Sequence, residues 1–76
     1  MLPHEILDAM YTSEINCRIE SFYDGGWVGW LGDTVNGFPF ALTRGKTFDE
    51  CVRHLAGQAC SVYPMSAFAN AHRGKF

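Results

Sequence analysis

The sequence predicts an α+β domain in which a three-stranded antiparallel meander carries a short N-terminal helix and a long C-terminal helix packed on the sheet (α-β-β-β-α). Three observations carry this expectation. Residues 15–21 alternate strictly between apolar and polar, a Gly-rich turn follows at once, and a capped stretch from Thr47 repeats its apolar residues at helical spacing. The chain has 76 residues, 47% of them hydrophobic and 18% charged, the composition of one folded domain and not of a disordered segment. A single domain over residues 1–65 is expected, followed by an irregular tail over 66–76.

Each element has its own reason. Pro3 suits a first helical turn and Glu5 there favours the helix dipole, so a helix is expected over residues 3–12, with Leu2, Ile6 and Met10 as its inner stripe. In the first strand Ile15, Cys17 and Ile19 point inward, and Asn16, Arg18 and Glu20 outward. Asp24-Gly25-Gly26 tolerates positive φ and turns the chain into a second strand, Trp27 to Leu31. A second turn is expected over Gly32 to Gly37, then a third strand, Phe38 to Leu42, with Phe38, Phe40 and Leu42 on one face and an edge or bulge at Pro39. Thr47-Phe48-Asp49-Glu50 reads as a capping box. Phe48, Val52, Leu55, Ala59 and Val62 then fall within about 100° of helical arc, and Pro64 stops the helix.

Charge is unevenly placed. Residues 1–43 hold six acids against Arg18 alone, whereas residues 44–76 hold five bases against two acids. The only basic cluster is terminal (His72, Arg73, Lys75), so direct nucleic-acid binding is not expected. No run approaches the roughly 20 apolar residues of a membrane span. Met1 to Glu5 lacks the basic start of a signal peptide. Three cysteines, with no CxxC among them, fit reduced thiols in a cytoplasm.

Catalytic constellations are absent from the pattern. Asp24 and Asp33 flank the Trp strand at opposite ends, at least about 20 Å apart by strand rise, too far for a carboxylate pair. Cys51 and His54 share a helix, but His54 falls on its polar side and a structural metal needs about four ligands. No nucleophile elbow or phosphate loop is present. The expectation is a protein that is not an enzyme and takes no metal or cofactor.

Trp27 and Trp30 are the informative pair. Being odd and even on one strand, they project to opposite faces: one joins the core under the long helix and the other lies on the second face. The candidate partner-binding residues are therefore Arg18, Glu20, Asp24, Trp30 and Asp33, an aromatic strand bordered by acids.

Two resemblances add to this reading. Asp24-Gly25-Gly26-Trp27, Leu31-Gly32-Asp33, Asn36-Gly37-Phe38 and Gly45 to Glu50 follow the order of turn, loop and capped helix in the β-β-β-α module of HicB-like antitoxins. The likeness covers about half the chain, which departs from that family by its N-terminal helix and by having no room for the family's further strand and DNA-binding segment. The chain as a whole is similar to short proteobacterial and prophage reading frames bearing His4-Glu5-Ile6-Leu7, Ser13-Glu14-Ile15-Asn16, the segments just named and Thr47 with Asp49-Glu50. In size and acidity it resembles phage anti-CRISPR proteins, including those acting on type I-C complexes. That resemblance implies a small inhibitor in the bacterial cytoplasm, a monomer or weak homodimer. Its partner would be a host protein or ribonucleoprotein, a CRISPR surveillance complex above all, whose DNA-binding surface it blocks. The HicB likeness implies instead an antitoxin or adaptor that neutralises a small toxin.

Overall fold

The computed structural model describes residues 1–32 and 41–76. Its elements run α1 (Pro3–Thr12), β1 (Cys17–Phe22), β2 (Gly26–Leu31), β3 (Ala41–Gly45), α2 (Phe48–Val62) and α3 (Ala67–His72), and the strands form one antiparallel sheet in the order β1-β2-β3. The α+β class, the meander, the first helix and the long capped helix are as the sequence predicts.

α1 opens with Pro3 in its first turn and with the Leu2 N–H donating to Glu5 Oε1 at 2.6 Å. Ile6 and Met10 are fully buried, whereas Leu2, expected on the same stripe, sits at the cap and stays exposed. The helix ends in a Schellman arrangement. The Ile15 N–H donates to the Met10 carbonyl and the Glu14 N–H to that of Tyr11, which places Glu14 in the left-handed region at φ 62°. The reversal delivers Ile15 to the core beside Met10.

β1 and β2 pair from Cys17 with Leu31 to Phe22 with Gly26. Gly26 takes φ 79°, and a side chain there would meet the Gly45 carbonyl of β3 at 2.7 Å.

The third strand differs from expectation. The turn and most of the strand forecast over Gly32–Leu42, Pro39 included, lie outside the described residues, and the strand continues three residues beyond Leu42. Thr43, Arg44 and Gly45 are drawn in by pairing with Gly29, Val28 and Trp27. Gly45 permits this because α2 begins directly above it: a Cβ at that position would lie 2.5 Å from the Cys51 backbone nitrogen.

α2 is capped by the Thr47 hydroxyl, which accepts from the Glu50 N–H at 3.1 Å. It packs across β2 and β3, with α1 and α3 against its other sides, so the helices form one layer. Its Cys51, Val52, Leu55, Ala56 and Ala59 are buried; Val52, Leu55, Ala56 and Ala59 join Ile6, Met10, Ile15, Leu31 and Phe68 in one core cluster.

Residues 66–76, expected to be irregular, instead carry α3. Ser66 caps it by accepting from the Ala69 N–H at 3.0 Å, alanines fill it, and Phe68 is buried against the core. Phe76 returns to stack on Phe68, ring centroids 5.9 Å apart. Six residues are too few for a helical period to show in the sequence. Among the described residues no helix is long and apolar enough to cross a membrane.

Candidate functional site: the open face of the sheet

Strand parity divides the sheet into two chemically different faces. Cys17, Ile19, Trp27, Leu31, Ala41, Thr43 and Gly45 turn toward the helical layer, where Trp27 meets Phe48 edge to face at 5.2 Å. The opposite face carries two rows that the register aligns across all three strands, Arg18-Trp30-Leu42 and Glu20-Val28-Arg44. Phe22 extends it toward the hairpin turn. The two tryptophans therefore lie on opposite faces, as their spacing requires.

This open face has a shaped centre. The Arg18 guanidinium lies 4.4 Å from the centroid of the Trp30 ring, close enough for a cation–π contact. Arg18 Nε also pairs with Glu20 Oε1 at 3.1 Å, both side chains remaining about half exposed. Beside them Phe22, Asp24, Val28, Trp30, Leu42 and Arg44 line a shallow depression. Phe22 and Leu42 are 43% and 49% exposed there, unusual for large apolar side chains so close together. Tyr23, at the tip of the turn, is fully exposed.

Of the residues singled out from sequence, Arg18, Glu20 and Trp30 come together on this face and Asp24 stands at its rim. Asp33 lies outside the described residues. Phe22, Val28, Leu42 and Arg44 were not anticipated. Carrying the alternation of Arg18 and Glu20 two residues further finds Phe22, and the parity of Trp30 finds Val28. Leu42 and Arg44 needed the true extent of β3. They also change the charge of the face: the expected acidic surface has, among the described residues, Glu20 and Asp24 balanced by Arg18 and Arg44.

The remaining chemistry of the chain is subdued. Cys17, Cys51 and Cys60 are free thiols, and burial pushes each above its ordinary value of 9.0, away from the thiolate a nucleophile needs. Cys51 is fully buried, whereas His54 is exposed and donates from Nδ1 to the Arg44 carbonyl at 2.8 Å. Among the described residues no three His, Cys, Asp or Glu side chains converge as a metal site would require. No family model matches this chain, and none of the curated proteins or solved structures compared with it matches either.

Proposed function

We propose that the protein acts by binding, without catalysis, and holds another protein on the open face of its sheet. The observation that carries this reading is the arrangement around Trp30. A large aromatic ring is braced by Arg18, has the half-exposed Leu42 as its cross-strand neighbour and shares a depression with the half-exposed Phe22, on the face away from the described helices. Trp and Arg dominate the energetic centres of protein interfaces, and rims of mixed charge supply their specificity.

The partner proposed is a host complex in the bacterial cytoplasm, with a type I CRISPR surveillance complex first because of the likeness to small phage inhibitors. The balanced charge of the face favours contact through an aromatic anchor over imitation of a nucleic-acid backbone. A second reading, antitoxin-like capture of a small toxin, is favoured by one observation: three strands followed by a capped helix, the order of the HicB module.

The test uses purified partners. A type I-C surveillance complex and a small basic ribonuclease toxin are each titrated with the protein and with Trp30→Ala. Binding to the complex, weakened at least about 30-fold by the substitution, supports the inhibitor reading. Binding to the ribonuclease with the same sensitivity supports the second. Binding to neither overturns both.

A further inference from the structure

β1 ends the sheet, and among the described residues no strand pairs with its outer side. The backbone groups it presents there follow from the register. The Gly32 N–H donates to the Asn16 carbonyl at 2.8 Å, so residues 16 and 32 are a hydrogen-bonded pair. Such pairs alternate along an antiparallel ladder. Arg18, Glu20 and Phe22 thus turn their N–H and C=O groups toward β2, while Cys17, Ile19 and Ser21 turn theirs outward.

We propose that two copies of this chain pair antiparallel through the outer edges of β1, about a two-fold axis at Ile19, to form a six-stranded sheet. Three independent features meet in that register. Ile19 pairs with Ile19 and Cys17 with Ser21, all residues whose backbone groups already face outward, so these pairs are hydrogen-bonded without breaking a bond of the β1–β2 ladder. Arg18 of one copy falls opposite Glu20 of the other, twice, at the closely spaced non-hydrogen-bonded positions where side chains meet best. Both charges lie on the open face, so the pairing joins the two open faces into one surface.

The two nearest alternatives compatible with the same backbone parity are disfavoured by charge. Centring the two-fold on Arg18 sets arginine against arginine, and centring it on Glu20 sets glutamate against glutamate. A shift by one residue to mixed parity brings outward groups against inward ones and makes no ladder. Centring the two-fold on Cys17 or Ser21 avoids like charges but sets Arg18 opposite Asn16 or Glu20 opposite Phe22, so only the Ile19 register pairs opposite charges of β1 across the seam.

A two-strand seam is a small interface, so the dimer is expected at roughly 100 µM and above. The proposal goes beyond the reading of the open face as a partner site and is tested without any partner, on the isolated protein. Sedimentation velocity across about 1 µM to 1 mM should show a concentration-dependent dimer. Arg18→Glu and Glu20→Arg should each weaken it about ten-fold or more by setting like charges opposite. The double variant Arg18→Glu, Glu20→Arg restores complementarity and should recover the dimer. Ser21→Pro removes only an outward N–H and should also weaken it, with β1–β2 pairing kept. A monomer at every concentration overturns the proposal. So does a dimer indifferent to both single reversals, or one that the double variant fails to recover.

Discussion

Arg18 and Trp30 are direct partners across the β1–β2 ladder, and the guanidinium of the one lies 4.4 Å from the ring centroid of the other. The contact joins an edge strand to the central strand on the face that, among the described residues, no helix covers. Arg18→Ala is expected to lower stability by about 0.5–1 kcal/mol, the worth of an exposed cation–π contact. Glu20→Gln, which removes only the exposed ion pair, should cost less than about 0.5 kcal/mol. Urea unfolding followed by far-UV circular dichroism measures both; equal costs would mean that the ion pair, not the ring, holds Arg18.

Gly45 sets how closely α2 approaches the sheet. Gly45→Ala places a methyl group where the Cys51 backbone already stands, so the helix must lift or the strand must bend. A loss of about 3 kcal/mol is expected. That is a large share of the roughly 4–11 kcal/mol available to a chain of this length. A variant with unchanged melting temperature would mean that the helix sits farther from β3.

Glu14 holds a left-handed conformation that costs a side-chain-bearing residue about 1 kcal/mol and glycine almost nothing. Glu14→Gly should therefore raise stability by about 0.5–1 kcal/mol despite the more flexible unfolded chain. A lower melting temperature would show that the Glu14 side chain contributes something its geometry does not reveal.

These residues also show what could be read in advance. Alternation at 15–21 and helical spacing after Thr47 are repeated signals: the long helix falls where expected, and β1 starts two residues late, at Cys17, because Ile15 still closes the end of α1. The left-handed residue after α1 carried no glycine to announce it. The end of β3 was hidden because Gly45 disfavours a strand and Arg44 gives no alternation with it, so the segment is ordered by its neighbours. α3 was missed because two adjacent buried residues, Phe68 and Ala69, do the work of a periodic stripe. At the site, parity alone put Arg18 and Glu20 on one side of β1 and separated Trp27 from Trp30; that Trp30 shares the face of Arg18 comes from the register. The neutralising Arg44 followed only from register, which one sequence does not state.

Alkaline pH should destabilise the fold. Burial raises the thiols of Cys17, Cys51 and Cys60 above 9.0 and the Tyr63 hydroxyl above 10.0. The unfolded chain therefore releases these protons first. The contribution of each thiol to stability is complete below about pH 9 and is lost as pH rises toward its folded value, with Tyr63 following at higher pH. The urea midpoint should fall between about pH 8 and pH 10.5, and less steeply in a Cys17→Ala, Cys60→Ala variant. A midpoint constant over that range would mean that the thiols are as well solvated folded as unfolded.

The most direct measurement of the open face as a binding surface is the affinity of purified type I-C surveillance complex for the protein and for Trp30→Ala, with the folded state of each confirmed by its melting curve. A loss of at least about 30-fold in the folded variant is predicted. Equal affinity of the two proteins, both folded, would contradict the assignment of binding to this face.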